Sequence, residues 1–574
     1  MKEYRVQSVL GPLFKLLEAC FDLLVPIVVA SIIDKGIGGP DRPHTVRMFL
    51  ILIALGFIGL ICSVTAQYFS AKAATGFAKN LRAALFTRIQ RMSFTELDKA
   101  GASTLLTRMT SDINQVQSGV NLLLRLFLRS PFIVFGSLIM AFTIDGSLAL
   151  IFAVTIAILF AVVFALTLIS IPLYRRNQTA LDRVFLTVKE NLAGVRVIRA
   201  FRREQSEIKA FHEKNDALCK SQLFVGRISG LINPLTFVII NIAVILLIRS
   251  GAVKVDNGTL TEGQIVALYN YMSQILVELI KLANLIITAT RSLACAGRIR
   301  DILNAPLPDE CAGADNATVE PEYRVSFENA ALCYSGALEN SLEGIDLKVR
   351  PGQTVGIIGA TGSGKSSLVS LIPRFYPCTE GVVRVDGRDV KSYGERELRS
   401  KIGFVRQKSE LFKGSVRDNL KWGDPDADDE ALTDALRRAQ VLDVINEKGG
   451  LDAIVEQEGR NLSGGQKQRL SIARALVSNP EILILDDSSS ALDFATDAAL
   501  RKAIASLPSS PTVFIVSQRT SSLMHADIIL LLNDGRPAAI GTHDQLMESC
   551  PEYRELYYLQ FPEKKSVKGG AAAV

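Results

Sequence analysis

The sequence predicts two domains of different kinds, an α-helical membrane domain followed by a soluble α/β domain. The 574 residues are 48% hydrophobic and have a mean hydropathy of +0.26, which is high for a soluble chain of this length. The long apolar runs fill the first half of the chain, whereas the second half has ordinary globular composition. After about residue 324, short β-rich runs alternate with helical stretches, which predicts a mostly parallel sheet.

Six apolar segments predict membrane-spanning helices, because a span needs about 20 mostly apolar residues. They lie near residues 8–33, 47–71, 126–144, 147–173, 231–250 and 264–290. In the long connections between spans, apolar residues recur at three- and four-residue steps, so the helices are expected to continue beyond the membrane. Short breaks in the helices are expected near Gly101 and near Phe201–Glu204.

The charges between the spans predict the orientation of the chain. The two long connections, about residues 72–125 and 174–228, are rich in arginine, whereas the three short connections carry few cations. Cationic connections stay on the cytoplasmic side, so the termini and the soluble domain are expected in the cytoplasm of a plasma (inner) membrane protein. This distribution also argues that the net charge of +6 does not indicate nucleic-acid binding.

A segment rich in Pro, Gly, Asp and Asn follows the sixth apolar run and has no periodicity, which indicates a linker. The predicted organisation is a transmembrane domain at 1–302, a linker at 303–323, a soluble α/β domain at 324–562, for which the motifs described next predict nucleotide binding, and a flexible tail at 563–574.

The soluble domain contains the segment GATGSGKS, which follows an apolar strand and precedes a helical run. This is the G-x-x-x-x-G-K-S pattern, in which backbone N–H groups close around the phosphates of a nucleotide. Lys365 supplies a positive charge to the phosphates, while the Ser366 hydroxyl and Asp486, at the end of the strand ILILDD, are expected to ligate Mg²⁺. The predicted ATP-binding residues here are Gly359, Thr361, Gly362, Ser363, Gly364, Lys365, Ser366 and Ser367.

A second glycine-rich turn lies between these two motifs and precedes another helix, where it can present further N–H donors. It consists of Ser463, Gly464, Gly465 and Gln466 in the segment NLSGGQKQRL. Ordinary P-loop enzymes have no such turn, and LSGGQ resembles the signature of ATP-binding cassette (ABC) transporters.

Further motifs resemble that family in the same order along the chain. Gln407 in GFVRQKSELF resembles the glutamine of the Q-loop, a Mg²⁺ ligand; Tyr334 resembles the aromatic residue that stacks on adenine; and Asp493 in SALD resembles the D-loop. Six spans fused to one cassette is the half-transporter layout of the exporter branch, with Gly101 in the first coupling loop and Phe201 and Glu204 in the second. The resemblance implies ATP and Mg²⁺ as cofactors.

Two catalytic positions depart from the family pattern. Asp487 stands where the family has the glutamate that polarises water, and its carboxylate is shorter by about one C–C bond; errors of about 1 Å can lower a rate about 10²-fold. Gln518 stands where the family has a histidine that contacts the terminal phosphate, and glutamine carries no charge near neutral pH. We therefore expect this site to bind ATP but to hydrolyse it poorly.

ABC cassettes pair head to tail, so each ATP lies between the P-loop of one chain and the signature of the other. Because this signature is intact, the resemblance implies that it completes the site of a partner half-transporter with the consensus glutamate and histidine. The prediction is a heterodimeric exporter of amphipathic compounds such as drugs or lipids. A slow homodimeric exporter and a non-transporting ATP-binding sensor are the alternatives.

The sequence gives few indications of the transported compound. Glu278 and Lys281 lie in the sixth apolar run at helical spacing, and ionisable residues within spans are functional candidates by default. They are a candidate cargo or gate site, although they are also suited to pair with each other or to lie beyond the membrane. Membrane lipids and a small amphipathic cargo, not nucleic acid, are the expected contacts.

Overall fold

The computed structural model divides the chain into two compact units. The first comprises Met1–Gln90 and Ala102–Ala305, and the second comprises Arg91–Gly101 and Pro306–Val574. The structure describes residues 2–37, 42–307, 322–488 and 492–562. Most of the predicted linker and the predicted tail lie outside these ranges. The short segment 91–101, which the predicted boundaries place in the membrane domain, groups with the second unit.

The first unit is helical throughout its described residues. The helix α3 (Phe94–Ala100) groups with the second unit. The helices of the first unit are α1 (Arg5–Ser31), α2 (Arg42–Gln90), α4 (Ala102–Thr107), α5 (Ile113–Leu126), α6 (Arg129–Ile144), α7 (Gly146–Ala193), α8 (Val195–Ala200), α9 (Glu204–Gly230), α10 (Ile232–Asp256) and α11 (Glu262–Leu303). Two π-helical turns, Ile32–Ile37 and Arg108–Asp112, continue α1 and join α4 to α5.

Six helical segments among the described residues are long and apolar enough to cross a membrane, and each contains one predicted span. Five of them are 42 to 53 residues long, more than twice the length that a membrane requires. The helices therefore extend well beyond the apolar core of a bilayer, as the periodicity predicts.

The breaks in these helices fall at the expected positions. Gly101 separates α3 from α4 with a φ of 72°, a left-handed conformation that glycine adopts without steric cost. The α8–α9 break lies at Phe201–Arg203, just before Glu204 begins α9, and Arg202 there has a φ of 53°. The tight turn after α6 is fixed by Asp145, whose carboxylate accepts hydrogen bonds from the backbone N–H groups of Ser147 and Leu148.

The second unit contains two larger sheets and a short two-stranded ribbon. Its strands are β1 (Val325–Leu332), β2 (Leu342–Val349), β3 (Thr354–Gly359), β4 (Glu380–Val385), β5 (Arg388–Asp389), β6 (Ile402–Val405), β7 (Gly414–Ser415), β8 (Ile454–Val455), β9 (Ile482–Asp486), β10 (Thr512–Val516), β11 (Ile528–Asn533) and β12 (Arg536–Gly541). The six-stranded sheet has the order β12-β11-β3-β10-β9-β6, and only β12 runs antiparallel to its neighbour. The predicted mostly parallel sheet is therefore present.

A second sheet, of order β2-β1-β4-β5, is antiparallel and was not part of the prediction. The run EGVVRVDG supplies β4 of this antiparallel sheet. The alternation of buried and exposed residues along β2 is the pattern of a strand with one face on the core.

Ten α-helices lie within the described residues of the second unit. They are α3 (Phe94–Ala100), α12 (Lys365–Leu371), α13 (Glu395–Ser400), α14 (Val416–Leu420), α15 (Asp429–Arg438), α16 (Leu442–Glu447), α17 (Gly464–Val477), α18 (Phe494–Ala505), α19 (His543–Ser549) and α20 (Pro551–Gln560). A hydrophobic core between the two larger sheets surrounds α12, and another buries α15 and α17 against the opposite face of the parallel sheet.

Aromatic contacts hold α3 in the second unit. The ring of Phe94 lies 4.6 Å from that of Phe375, and the Arg399 guanidinium lies over the Phe94 ring. The Tyr376 hydroxyl donates a hydrogen bond to Asp98. These contacts explain why the segment next to Gly101 groups with the soluble unit although it connects two helices of the membrane unit.

Candidate nucleotide-binding site

The carboxyl ends of three neighbouring parallel strands build the site. In the register of the sheet, Val516 of β10 lies opposite Asp486 of β9 on one side and Ile357 of β3 on the other. The chain therefore leaves β3, β9 and β10 at the same edge. In open α/β sheets, this edge is where ligands bind.

The loop after β3 is shaped by glycines. Gly362 and Gly364 have φ values of 85° and 91°, and a Cβ on Gly364 would lie 2.7 Å from the Ser341 carbonyl oxygen. The loop leads directly into α12, which begins at Lys365. This combination of strand, glycine-rich turn and helix is the geometry that the P-loop pattern predicts.

The P-loop lysine is held by the backbone of its own loop. Its Nζ donates hydrogen bonds to the carbonyl oxygens of Gly359, at 2.9 Å, and of Ala360, at 2.6 Å. Burial lowers the pKa of Lys365, and the nearby acids Asp486 and Asp487 oppose that shift.

A hydroxyl and a carboxylate meet where Mg²⁺ is expected. Ser366 Oγ donates a hydrogen bond of 2.8 Å to Asp486 Oδ1, which joins the start of α12 to the end of β9. Burial raises the pKa of Asp486, and the hydrogen bond from Ser366 partly offsets this rise. Oxygen ligands of these two kinds suit Mg²⁺, so the residues present fit the cofactor that the sequence implies.

Gln407, the third predicted Mg²⁺ ligand, contacts a different acid. Its Nε2 donates a hydrogen bond of 3.2 Å to Asp487 Oδ2. Asp487 has a φ of 47°, a left-handed conformation that aspartate tolerates better than most residues. Burial raises the pKa of the Asp487 carboxyl, and the hydrogen bond from Gln407 acts against this rise.

Gln518, the second departure from the family pattern, follows β10 and lies near the P-loop. Its Nε2 lies 3.5 Å from the Thr361 hydroxyl oxygen, at the limit of a weak hydrogen bond. It shares one cavity of about 610 Å³ with the P-loop and the strand-end acids. The predicted site residues that line this cavity are Thr361, Gly362, Gly364, Lys365, Ser366, Ser367, Gln407, Asp486, Asp487 and Gln518.

Three predicted nucleotide contacts do not line this cavity within the described residues. Gly359 and Ser363 lie beneath the loop, where Ser363 is buried. The Tyr334 hydroxyl donates a hydrogen bond of 2.9 Å to Ser367 Oγ, and its ring packs at a right angle to that of Tyr376. Tyr334 therefore lies beside the P-loop helix and not in the cavity itself.

The signature residues form a helix cap away from the cavity. Ser463 precedes α17, its hydroxyl accepts a hydrogen bond from the Gln466 backbone, and the Gln466 side chain accepts one from the Ser463 backbone. Ser463 and Gly464 are exposed, and none of the four predicted signature residues lines the cavity. The start of α17 thus presents its N–H groups to the surroundings of this chain.

The D-loop is described only in part. Residues 489–491 lie outside the described residues, but Asp493 caps α18 and accepts a hydrogen bond from the Thr496 N–H. In the first unit, Phe201 is 74% exposed and Glu204 is also exposed, at the start of α9.

The membrane unit contains a partly buried group of charges that includes both candidate cargo residues. Glu278 is 3% exposed and accepts hydrogen bonds from Arg129, from the Ser130 hydroxyl and from Lys281. Arg129 also contacts Asp22, at 2.9 Å. We call this group, completed by the Lys15–Glu18 pair, the membrane charge cluster: Lys15, Glu18, Asp22, Arg129, Glu278 and Lys281.

Glu278 and Lys281 do pair with each other, which is one of the possibilities left open by the sequence. Arg129, at the centre of the cluster, was not among the residues predicted from the sequence. An arginine inside a predicted span was the available signal, since intramembrane charges are expected to have partners.

Comparisons with known proteins agree with this architecture. The pattern of the ABC transporter transmembrane region matches residues 8–279, and the pattern of the ABC transporter domain matches residues 342–490. The fold is similar to that of a bacterial Atm1-family ABC exporter with ATP bound. The TM-score is 0.82 at 24% identity, and the match covers 97% of this chain and 98% of that chain.

Relatives match over nearly their full length. An uncharacterized ABC transporter ATP-binding protein of Mycobacterium tuberculosis, Rv1273c, is 35% identical over 97% of this chain and 96% of the relative. The putative multidrug export ATP-binding/permease protein YgaD of Bacillus subtilis is 31% identical over 98% of both chains.

The fold and the site define a membrane transport ATPase in which six helical spans and one ATP-binding domain share a polypeptide. The chain belongs to the ABC transporter family. It is a multi-pass membrane protein.

Proposed function

We propose that this chain is one subunit of a heterodimeric exporter, in which its own site holds ATP and hydrolyses it slowly. Its signature turn would complete the faster site of a partner half-transporter. The observation that carries this proposal is the pair of replacements at the catalytic positions, Asp487 and Gln518, beside an intact phosphate-binding loop.

The binding side of the site has the groups that hold a nucleotide. Lys365 and the P-loop amides suit the phosphates, while Ser366 and Asp486 meet at 2.8 Å, where they can ligate Mg²⁺. When bound, Mg²⁺ would neutralise charge on the phosphate oxygens. These features favour tight binding of Mg²⁺ and ATP.

The two residues at the catalytic positions, Asp487 and Gln518, lack the side-chain length and the positive charge that fast hydrolysis needs. Asp487 is one methylene shorter than glutamate, and its Oδ2 accepts a hydrogen bond from Gln407. A positioning error of about 1 Å can cost about 10²-fold in rate. Gln518 can donate a hydrogen bond to a phosphate but cannot supply a positive charge or a proton near pH 7.

The exposed signature turn supports pairing with a different chain. Two copies of this chain would make two impaired sites, whereas a partner with a glutamate and a histidine would make one impaired and one fast site. The Ser463 cap lies outside this chain's own cavity, as expected for a turn that contacts a nucleotide held by another chain.

In this proposal the ATP-binding domain and both termini are cytoplasmic, and the cargo is a small amphipathic compound such as a drug or lipid. The name of YgaD refers to multidrug export, which favours this class of cargo. A slow homodimeric exporter and a non-transporting ATP-binding sensor are the competing functions.

The first test is co-purification of this chain with a half-transporter encoded beside it, followed by ATPase assays of the pair. We expect a Glu→Gln change at the partner's catalytic position to abolish most turnover, while Asp487→Asn in this chain changes it little. A pair that keeps its ATPase rate with the altered partner contradicts the assignment. Rapid hydrolysis by this chain in the absence of any partner would contradict both the impaired site and the proposed heterodimer.

A second assay separates the exporter from the sensor. Inverted membrane vesicles that contain both chains should accumulate an amphipathic fluorescent dye only when ATP is present. The matched control is the same pair with Lys365→Ala and the equivalent change in the partner. ATP binding without any dye accumulation, tested over several dyes and fluorescent lipids, would support the sensor.

A further inference from the structure

The segment that carries Gln518 is held by the last residue of the C-terminal helix α20. Gln560 Nε2 donates a hydrogen bond of 2.8 Å to the Gln518 carbonyl oxygen. Gln560 Oε1 accepts two hydrogen bonds from Thr520, from its backbone N–H at 2.8 Å and from its hydroxyl at 2.9 Å. One side-chain amide therefore binds the chain on both sides of Arg519.

The donors and acceptors fix the orientation of this amide. The Thr520 N–H can only donate and the Gln518 carbonyl can only accept, so the oxygen of Gln560 must face Thr520 and its nitrogen must face Gln518. Thr520 is fully buried, so its N–H and hydroxyl need a partner inside the protein. Glutamine supplies both kinds of group at one position, which glutamate or methionine cannot.

Both ends of this contact are fixed in space. The helix α20 is anchored by Tyr553, which is fully buried and whose hydroxyl lies 2.9 Å from His543 Nδ1. On the other side, Arg519 donates a hydrogen bond of 3.0 Å to the Leu492 carbonyl oxygen and lies over the Phe494 ring. Gln560 thus connects the segment after β10 to the anchored helix α20, and Arg519 connects the same segment to the start of α18.

We propose that Gln560 is a positioning residue that fixes Gln518 where its side chain meets the terminal phosphate of ATP. The Gln518 side chain points into the nucleotide cavity, toward the Thr361 hydroxyl, while its carbonyl group is held by Gln560 from outside the cavity. A shift of that carbonyl would move the amide relative to the phosphates. The assignment rests on the proposed role of Gln518 as a phosphate contact.

The test compares a nucleotide that has a terminal phosphate with one that lacks it. The affinities of AMP-PNP, a non-hydrolysable ATP analogue, and of ADP are measured in the presence of Mg²⁺, on the full-length chain in lipid nanodiscs. Gln560→Glu keeps the acceptor for Thr520 but turns a second carboxylate oxygen toward the Gln518 carbonyl, so it selectively breaks that contact. Gln560→Met removes both contacts at nearly constant size, and Leu559→Ala, at a 70% exposed neighbour on the same helix, is the control.

We expect Gln560→Glu and Gln560→Met to weaken AMP-PNP binding about 3- to 10-fold, the range for one lost hydrogen bond. ADP affinity should stay within about 2-fold, and Leu559→Ala should change neither affinity. Gln518→Ala should reproduce the loss, and Gln560→Glu added to Gln518→Ala should cause no further loss, because the two residues act through one contact.

Three outcomes would overturn the proposal. The first is that the Gln560 variants lower the affinities for AMP-PNP and ADP equally, and the second is that the losses of AMP-PNP affinity add in the double variant. The third is that neither Gln560 variant lowers the affinity for AMP-PNP. The melting temperature of each variant identifies a folding defect, and Gln560→Met replaces Gln560→Glu if the charged variant fails to fold. Because no hydrolysis is involved, the outcome is independent of the ATPase assays. A fast homodimeric ATPase would refute the proposed heterodimer and still leave this positioning role open to the same measurement.

Discussion

The membrane charge cluster and the nucleotide site are polar centres that balance their charges in different ways. In the cluster, three bases face three acids of the same chain, and Arg129 contacts carboxylates of both α1 and α11. In the nucleotide site, Lys365 is held by carbonyl oxygens and Asp486 by a hydroxyl, and neither forms an ion pair with a described residue. A neutralised cluster suits a structural role, whereas a site with uncompensated charges is ready to bind phosphates and a cation.

The largest effect is expected from breaking the neutralised cluster. Arg129→Met leaves the buried Glu278 without one of its two cationic partners and removes the ion pair with Asp22, which should destabilise the chain by about 3–5 kcal/mol. Thermal unfolding of the full-length chain in detergent measures the loss. Lys281→Met is the matched control, because Lys281 is more exposed and Glu278 keeps Arg129 in that variant. Equal destabilisation by the two variants would show that Arg129 is not the centre of the cluster.

The next largest effect is expected from replacing the two residues at the catalytic positions by the glutamate and histidine of the family pattern. Asp487→Glu combined with Gln518→His should raise hydrolysis at this site by about 10²-fold, since it restores reach and charge at the two weakened positions. The rate is measured in a heterodimer whose partner carries a Glu→Gln change, so that only this chain's site turns over. Adding Lys365→Ala should abolish the gain. If the double variant leaves the rate unchanged, the two replacements do not limit hydrolysis.

A smaller effect is expected from pH. Burial raises the pKa of Asp486 above its usual value, and Mg²⁺ ligation needs the ionised form, so the affinity for Mg²⁺ and ATP should fall as pH decreases through this raised pKa. The loss should approach about tenfold per pH unit below the pKa, and it should begin at a higher pH than for an exposed aspartate. The same pH profile measured with Asp486→Asn gives the contribution from protonation of the nucleotide itself. Parallel pH profiles in the two proteins would exclude Asp486 as the source.

The smallest effect is expected at Gly297, a glycine within the long helix α11. Gly297 lies within α11, and a Cβ there would meet no other atom within 4 Å, so Gly297→Ala should stabilise the chain by about 0.5–1 kcal/mol. Gly119→Ala is the contrasting control, because its Cβ would collide with Ser292 Oγ and should destabilise the chain. Melting temperatures of the two variants should therefore move in opposite directions.

The features that could be predicted from the sequence are those that depend on residues close together in the chain. The P-loop has its glycines, lysine and serine within eight residues, and the strand before Asp486 is an unbroken apolar run, so their structure and chemistry are local. The long helices follow from periodicity over tens of residues.

The parts that the sequence did not predict depend on contacts between distant residues. Arg129 and Glu278 are 149 positions apart, and Gln560 lies 42 positions from Gln518, so spacing along the chain gives no sign of either contact. The grouping of α3 with the soluble unit depends on Phe375 and Tyr376, nearly 280 positions away. Such pairings are fixed by tertiary packing, which a single sequence does not display.

This chain is proposed to bind ATP tightly and to hydrolyse it slowly, and single-turnover hydrolysis measures both properties in one experiment. The heterodimer, with its partner carrying the Glu→Gln change, is mixed with one equivalent of radiolabelled ATP and Mg²⁺, and bound ATP and ADP are followed over time. We expect ATP to stay bound and to be cleaved at about 1% or less of the rate of the unmodified pair. Cleavage at a rate close to that of the unmodified pair would contradict it.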